Sequence, residues 1–237
     1  MRSVSRTEAD DTMPFRSSAY IDFETGHVLV QPMELLRNRQ APQSIDDMFD
    51  LFECRVDVWQ LGPAVEILKE IESNASFGPS VWAHSAYALL AVVSTYFEMI
   101  GKTLNPSSEP SRTAGLDFNH GFCDVYPMFA GSVTERSDQA LPEVREFRDR
   151  LRNGLFHLGY TKANLLIHNE PRDRVPADFF VDKNCAPPRY LVNPHELTRT
   201  VVAHLPSFMA RLRSGTPETN DLQTRFRRFF TEFHGLQ

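Results

Sequence analysis

Residues 80–102 have the sequence SVWAHSAYALLAVVSTYFEMIGK, a long and almost uncharged stretch. Its main apolar residues recur at intervals of three and four: Trp82, Ala86, Leu89, Leu90, Val93, Phe97 and Ile100. This spacing predicts an α-helix with one apolar face, and Ser80 is a suitable N-cap for it. The small residues Ala88 and Ala91 favour close packing against a neighbouring helix. We therefore expect this segment to be the central helix of a helical bundle.

The same segment must be compared with a membrane-spanning helix, because no Asp, Glu, Lys or Arg occurs between Glu72 and Glu98. The stretch also contains a Gly-Pro step at Gly78, several polar residues and two tyrosines. These dilute its hydrophobicity below that of a spanning helix. We expect a buried helix and no association with a membrane.

The chain before this helix divides at about residue 43. Residues 1–43 have no sustained periodicity and predict an irregular N-terminal arm, with at most a short strand at Ile21–Val30. Ser44 and Asp47 have the spacing of a capping box, with Asp in place of the usual Glu, so a helix is expected to begin there. Gly62-Pro63 is expected to interrupt this helix and to start the next. The buried face of the first helix is predicted to contain Ile45, Met48, Phe49, Phe52, Val56 and Trp59.

Two further helical patterns follow the central segment. A short, weakly periodic helix is expected around Phe118–Phe129, and a strongly charged amphipathic helix at Leu141–His157. The pattern resumes at Asn193-Pro194, where Asn suits the N-cap and Pro the first helical position. A last amphipathic helix includes Phe226.

A β-favouring region at about residues 163–192 separates these helices. It contains three short runs, which are Leu165–His168, Phe179–Asp182 and Arg189–Val192. Clusters of Pro, Asp and Asn between them predict a small β-meander. We expect residues 44–237 to form one mainly α domain, an antiparallel helical bundle with this insertion before its C-terminal helices.

Composition excludes several classes of protein. The chain has 237 residues and a net charge of −6, which argues against a broad basic surface for coating nucleic acid. Its three cysteines form no CxxC pair, which is typical of a reducing cytoplasm and not of a disulfide scaffold. No phosphate loop, GxGxxG, HExxH or GxSxG occurs, and the eight histidines show no metal-ligand spacing. We expect a cytoplasmic protein that uses no metal and no cofactor.

The segment Arg150–Tyr160, with the sequence RLRNGLFHLGY, is the strongest candidate for chemistry. The chain contains six Arg–His pairs with four to six intervening residues, where chance gives about two, so this spacing alone is not specific. The pair Arg199–His204 lies within a predicted helix and is interpreted as two ordinary polar residues of a helix surface, without a function. Only Arg152–His157 closes an amphipathic helix, follows an apolar helix, and has Asn153 beside the arginine.

The motif Arg152-Asn153-x-x-x-His157 resembles the RNxxxH form of the Rx4-6H signature of the HEPN superfamily. The preceding apolar helix with its late acid, Ser94-Thr95-Tyr96-Phe97-Glu98, is similar to the second helix of that family. The resemblance covers about Ile45 to Thr161 and, less fully, Pro194–Arg213. HEPN proteins are helical bundles that usually dimerise. Many are metal-independent endoribonucleases of toxin–antitoxin or antiphage systems, and others are RNA-binding or scaffold modules without catalysis.

The residue types match RNA cleavage through the substrate's own 2′-OH. His157 titrates near neutrality and suits the base that removes the 2′-OH proton. Arg152 has a permanent planar charge for the developing negative charge on phosphorus, and the Asn153 amide can orient a phosphate or a histidine nitrogen. On a regular helix, residues five apart lie about 140° apart, so one straight helix does not direct both side chains at one phosphate. A cleft shared by two protomers removes this difficulty, which favours a homodimer.

Each of these residues also has a structural interpretation. Arg152 and His157 near a helix C-terminus complement the helix dipole without any catalysis. Glu98 is either a buried partner of Arg152 or His157, or the exposed end of its helix. Tyr160 either stacks on an RNA base or packs within the protein.

Three arginines of the charged helix are candidates for contacts along an RNA backbone. They are Arg145, Arg148 and Arg150. Acidic residues alternate with them, so a solvated face of salt bridges is the alternative.

Two functions remain open from the sequence. The first is a metal-independent endoribonuclease, acting as a homodimer on RNA, that is a toxin or antiphage effector with a possible antitoxin or regulatory partner. The second is a non-catalytic HEPN-like interaction or RNA-binding module, in which the β insertion and the last two helices form the recognition surface.

Overall fold

The computed structural model describes residues 20–21, 28–29, 42, 44–73, 79–105, 110–130, 142–155, 164–167 and 178–234. In these ranges the chain is mainly helical with a small three-stranded sheet, which confirms the predicted class at this level of detail. None of the helices described here is both long and apolar enough to cross a membrane. Within the N-terminal arm, β1 (Tyr20–Ile21) and β2 (Val28–Leu29) pair antiparallel, so a small hairpin replaces the single strand expected.

The first helical region begins at the predicted cap. Helix α1 (Ile45–Cys54) has Ser44 as its N-cap. The Asp47 amide donates to Ser44 Oγ at 3.0 Å, and the Ser44 amide donates to Asp47 Oδ2 at 2.9 Å, which confirms the capping box.

The expected interruption at Gly62-Pro63 was wrong. Helix α1 passes into a first π-helical segment (Arg55–Leu61) and then directly into α2 (Gly62–Ser73). Gly62 has helical backbone angles, and its amide donates to the carbonyl of Asp57, five residues back. Because Pro63 has no amide hydrogen for the carbonyl four residues before it, the wider i→i+5 pattern is favoured here. The irregularity is therefore a widened helix and not a break.

Helix α3 (Pro79–Leu104) is the predicted central helix, although it begins at Pro79 and includes Ser80 instead of being capped by it. Proline suits the first turn of a helix, which explains the earlier start. Besides α2, α3 contacts three later helices, which are α4 (Pro110–Val125), α6 (Pro194–Arg213) and α7 (Pro217–His234). Helix α4 begins before the expected position, and a short 3-10 turn (Pro127–Phe129) follows it.

Helices α3 and α4 cross with almost no side chain between them. A methyl group added to Gly101 would lie 1.7 Å from the carbonyl oxygen of Asp117. One added to Gly121 would lie 1.8 Å from the carbonyl oxygen of Phe97. Backbone atoms cannot be approached so closely, so this crossing requires glycine at both positions.

The charged helix predicted at Leu141–His157 is not regular throughout. Helix α5 (Pro142–Arg148) passes into a second π-helical segment (Asp149–Asn153), and the helical conformation continues to Leu155, the last described residue of this range. A π-helical turn contains more residues than an α-helical one. The 140° separation calculated between Arg152 and His157 stays a prediction, because His157 lies outside the described residues.

Strands β3 (Leu165–Ile167), β4 (Phe179–Asp182) and β5 (Arg189–Val192) confirm the three predicted β runs. Their order in the sheet is β3-β5-β4, with β3 parallel and β4 antiparallel to β5. The predicted meander was wrong, because β3 and β4 are not neighbours. The chain between β3 and β5 is long enough for the crossover that a parallel pair needs.

The sheet has one buried and one exposed face. Phe179 lies on the buried face, with its ring centroid 4.4 Å from that of Phe147 and 5.4 Å from that of Phe122 of α4. On the opposite face, Leu166, Leu191 and Phe180 are direct cross-strand neighbours, and they form a row across all three strands. We call these three residues the outer row.

Helix α6 begins as the sequence predicts. The side chain of Asn193 accepts hydrogen bonds from the amides of His195 and Glu196, and Pro194 is the first helical residue. Leu205 and Phe208 of α6 pack in the core with Phe226 of α7. These contacts place α6 and α7 against α3.

Candidate functional site

Arg152, the described member of the predicted catalytic pair, is bound by Glu98 of α3. Its Nε donates to Glu98 Oε1 at 2.5 Å. The side chains of Arg152 and Glu98 are 26% and 16% exposed, so the pair lies at the edge of the core and can be reached from solvent. Of the two environments expected for Glu98, the structure shows the first, as a partner of Arg152.

Buried neighbours hold this pair in place. Leu151, beside Arg152 in the second π-helical segment, is fully buried, and so are Phe97 and Ile100 on either side of Glu98. Each charged residue is thus next to a residue fixed in the core. The pair is attached to two elements that are 54 residues apart in sequence and have little freedom to separate.

The remaining members of the predicted site are described only in part. The backbone of Asn153 ends the second π-helical segment, while its side chain is outside the described structure. His157 and Tyr160 also lie outside the described residues. The proximity of His157 to Arg152 stays a prediction.

The three arginines considered for RNA contacts do not share one open surface. Arg150 donates to Glu146 Oε2 at 2.8 Å, and its guanidinium lies 5.4 Å from the ring centroid of Tyr190. The guanidinium of Arg148 lies against Gly115 of α4. Arg145 is exposed. The contacts of Arg150 match the alternative interpretation, a salt-bridged helix face.

A strip of α3 connects Arg152 with the first π-helical segment. Thr95, Glu98 and Lys102 lie on one face of α3 and are all half-buried. Gln60 Nε2 donates to Thr95 Oγ1 at 3.0 Å, one turn from the contact between Arg152 and Glu98. Both π-helical segments therefore contact the same face of α3. We call Thr95, Glu98 and Lys102 the α3 strip.

Trp59, the neighbour of Gln60, is 56% exposed. The sequence places it on the buried face of its helix together with Val56, and that prediction was wrong. The expectation assumed 3.6 residues per turn, whereas the chain is π-helical from Arg55 onward. The wider turn moves Trp59 out of the apolar face and leaves a large aromatic ring in solvent.

A second polar cluster, which the sequence analysis missed, lies between α3, α4 and α6. His204 Nδ1 is 2.8 Å from the hydroxyl of Tyr96, and His204 Nε2 is 3.1 Å from Asp124 Oδ2. Arg211 donates to the same carboxylate oxygen at 2.5 Å. Since an ionised carboxylate only accepts, Nε2 carries the proton in the neutral imidazole, and Nδ1 accepts from Tyr96. We call these four residues the His204 network.

The electrostatics of the His204 network follow from burial and hydrogen bonding. Burial acts to raise the pKa of Asp124, but hydrogen bonds from His204 and Arg211 outweigh it and hold this pKa below its ordinary value. Burial and the charge of Asp124 raise the pKa of Tyr96. The interpretation of Arg199 and His204 as ordinary polar residues of a helix surface was therefore wrong for His204. Arg199 itself pairs with Glu196 and not with the histidine.

Another buried hydroxyl contact joins the sheet to the same helices. Asp178 Oδ2 accepts hydrogen bonds from the hydroxyls of Tyr126 and Thr200, the latter at 2.6 Å. Burial, followed by the charge of Asp178, raises the pKa of Tyr126. Thr200 and His204 are one turn apart on α6. Polar contacts thus follow one another along this helix, at Thr200 and at His204. Their partners are distant in sequence, so the sequence alone does not reveal them.

Within the part of the chain that the structure describes, no group of three or more His, Cys, Asp or Glu side chains is arranged to hold a metal ion. Comparison of the chain with protein-family models, with curated proteins and with solved structures gives no match. The resemblance to the HEPN superfamily therefore depends on the residues quoted from the sequence.

Proposed function

We propose that the protein is a metal-independent endoribonuclease of the HEPN type, with Arg152 and His157 as its catalytic residues. The observation that carries this proposal is the contact of Arg152 with Glu98. An arginine that merely complements a helix dipole needs no carboxylate from another helix. This one is oriented by α3 and remains partly exposed, as a phosphate-binding cation must be.

The proposed reaction uses the 2′-OH of the RNA as nucleophile. His157 removes the 2′-OH proton, and O2′ forms a bond to the adjacent phosphorus while the bond from phosphorus to O5′ breaks. The O5′ leaving group takes a proton from water, and the hydroxide that remains is neutralised by the proton that His157 then releases. Arg152 stabilises the charge on the phosphorane oxygens, and Asn153 supports the phosphate. The products are a 2′,3′-cyclic phosphate and a 5′-hydroxyl end.

Glu98 acts through Arg152. Its oxygen contact at Nε restricts the rotation of the guanidinium about the side chain. A planar cation held in one orientation loses less conformational entropy when it binds a phosphate. We therefore assign Glu98 a positioning role in this reaction.

The biological setting belongs to the same proposal. We infer a cytoplasmic toxin or antiphage effector that acts as a homodimer and is controlled by an antitoxin or another regulatory protein. The net charge of −6 disfavours indiscriminate binding of nucleic acid, so a restricted RNA target is expected. The dimer rests on the family resemblance and on the angle calculated for a regular helix, which directs Arg152 and His157 apart.

A second candidate function is a non-catalytic interaction module. The outer row of the sheet supports it, because Leu166 and Phe180 are 46% and 42% exposed and flank Leu191. Adjacent exposed apolar side chains are typical of surfaces that bind other proteins. In this alternative, Arg152 and Glu98 only join the second π-helical segment to α3.

Cleavage of defined RNAs by the purified protein in EDTA separates the two functions. We expect the wild type to leave cyclic-phosphate ends, and His157→Ala and Arg152→Ala to lose this activity while they remain folded by circular dichroism. Arg228→Ala is a matched control, because Arg228 is an exposed arginine whose described ion pair, with Glu232, lies within its own helix. Absence of cleavage by the wild type, or equal cleavage by all variants, would favour the interaction module.

A further inference from the structure

We propose that two copies of this chain associate face to face through the outer side of the three-stranded sheet. In this contact, Phe180 packs on Leu191 of the second copy. Beside it, Arg189 forms an ion pair with Asp182 of the second copy. The inference goes beyond the proposed ribonuclease and does not depend on it, since none of these residues belongs to the Arg152 site.

The outer side of the sheet combines apolar residues with a pair of opposite charges. In the outer row, Leu166 and Phe180 are exposed and Leu191 is half-buried. Asp182 is the direct cross-strand neighbour of Arg189. Because side chains alternate along a strand, residues two apart lie on the same face. The charged pair therefore lies beside the outer row, on the same side of the sheet.

Both members of the charged pair are ionised near neutral pH. Hydrogen bonds from the amide of Asn184 and the thiol of Cys185, together with the charge of Arg189, hold the pKa of Asp182 below its ordinary value. Arg189 is permanently charged and its side chain is exposed. The outer side of the sheet thus has one negative and one positive charge next to each other.

This arrangement is complementary to itself, which favours a second copy as the partner. A partner must present a negative charge to Arg189, a positive charge to Asp182, and apolar side chains beside them. A second copy does so when the two-fold axis runs between β4 and β5, parallel to the strands, because β5 of one copy then lies opposite β4 of the other. Each Arg189 faces an Asp182. Each Leu191 likewise faces a Phe180.

The spacing of packed sheets suits these contacts. Sheets that pack face to face lie about 10 Å apart, a gap that Phe and Leu side chains fill from both sides and that an arginine spans to a carboxylate. Leu166 is on β3, beyond β5 from the axis, and therefore lies at the rim of the contact. An axis through β5 itself would bring the two copies of Arg189 together, and their repulsion disfavours it.

The proposed contact is separate from the Arg152 site. The inner side of the sheet is covered by α5, since the ring of Phe147 packs on that of Phe179. Arg150, in the second π-helical segment, also contacts this inner side at Tyr190. The outer side therefore faces away from the helical region that carries Arg152. Two copies joined through their sheets keep their Arg152 sites apart.

The size of the sheet sets the strength of the association. With strands about 4.8 Å apart, the outer row is about 10 Å wide across the three strands. A contact of this width is much smaller than a standard interface, which buries about 800 Å² on each partner. Small interfaces belong to weak or transient complexes. We therefore expect a reversible association that depends on protein concentration.

Sedimentation equilibrium of the full chain over a range of concentrations tests the contact. We expect the average mass of the wild type to rise with concentration, and Phe180→Lys to lose this rise because it places a charge in the apolar contact. Leu166→Lys, at the rim, should weaken the association less. Met128→Lys is the matched control and should associate like the wild type, since Met128 is exposed but lies outside the sheet.

Charge reversal tests the register of the two sheets. Asp182→Arg gives the outer side two positive charges and Arg189→Asp gives it two negative charges, so each variant alone should associate about tenfold more weakly or less. An equimolar mixture of the two should regain association as mixed pairs, and so should the double variant Asp182→Arg/Arg189→Asp. Asp182 also accepts the hydrogen bonds of its turn. Recovery in the double variant, which lacks those bonds too, separates charge pairing from a disturbed turn.

Three results would overturn the inference. They are a wild-type mass that stays constant with concentration, equal association of Phe180→Lys and the wild type, and a mixture of the charge variants that associates no better than its components. Equal association of Phe180→Lys would place any dimer on another surface. Because sedimentation is measured without RNA, these results are independent of whether the protein cleaves RNA.

Discussion

Tyr96 and Glu98 are two residues apart on α3 and belong to opposite kinds of polar site. Tyr96 is fully buried in the His204 network, whereas Glu98 holds Arg152 at the edge of the core. At 100° per residue these side chains leave α3 about 200° apart. One helix therefore supports an interior network on one side and a solvent-accessible cation on the other.

The comparison shows why a well-ordered histidine is not by itself a catalytic one. His204 has a carboxylate partner, as catalytic histidines often do. Both of its ring nitrogens are already hydrogen-bonded, one to Asp124 and one to Tyr96. No ring nitrogen is left to accept a substrate proton, so the arrangement favours stability. The Arg152 site has the opposite balance, because its cation is oriented but still accessible.

The largest expected effect is a loss of RNA cleavage when the Arg152 site, and not the His204 network, is changed. Arg152→Ala should lower kcat for RNA cleavage about 100- to 1,000-fold, the usual loss when one donor to a developing oxyanion is removed. Glu98→Gln should cause a smaller loss, since it leaves the cation in place but less well oriented. Initial rates on a defined RNA measure both. Equal activity of Arg152→Ala and the wild type would show that Arg152, like His204, has no part in catalysis.

The second-largest expected effect is a loss of stability when the His204 network, on the other side of α3, is disrupted. His204→Ala removes one of the two hydrogen-bond partners of the Asp124 carboxylate and the acceptor of the buried Tyr96 hydroxyl. We expect it to lower the free energy of unfolding by about 1–3 kcal/mol. Urea denaturation measures the change. Arg199→Ala, on the same helix, is the control and should cost less than about 1 kcal/mol. A loss of RNA cleavage in a folded His204→Ala protein would contradict the assignment.

Acid should weaken the His204 network when Asp124 takes up a proton. The pKa of Asp124 is lowered in the folded state, so its contribution to stability is present above the unfolded pKa, near 3.8. That contribution is lost as the pH falls through the lower folded pKa. We expect the unfolding midpoint of the wild type to fall steeply below about pH 4. Asp124→Asn should be less stable near neutrality and should show a flatter dependence in this range.

The smallest expected effect concerns the charged face of α5. Arg150→Ala removes an ion pair with the exposed Glu146 and a contact with the ring of Tyr190, which is buried. We expect a loss of at most about 1 kcal/mol in the free energy of unfolding and no change in RNA affinity. A clear drop in RNA affinity with unchanged stability would show that Arg150 belongs to the RNA surface after all.

Local signals in the sequence predicted local structure well. The caps at Ser44 and Asn193 were confirmed because each depends on a side chain and amides within three residues. The three strands were confirmed for a similar reason. Their order was not, because strand order depends on how the chain between them crosses the sheet.

The features missed either depart from regular helical geometry or depend on tertiary contacts. The first π-helical segment changes the number of residues per turn, which turned Trp59 outward. The His204 network joins residues from three helices and has no fixed spacing in sequence. For the candidate site, the lone charge of Glu98 in an apolar segment was the useful signal, since an isolated acid near the core needs a partner.

The crossing of α3 and α4 at Gly101 and Gly121 gives the two sites a common alignment. Gly101 follows Glu98 by one helical turn, and Gly121 precedes Asp124 by the same interval. Any side chain at either glycine would separate the helices and displace both carboxylates together. We therefore expect both positions to stay glycine in any variant that keeps this fold. A variant that alters one site without the other must carry its substitution elsewhere in the chain.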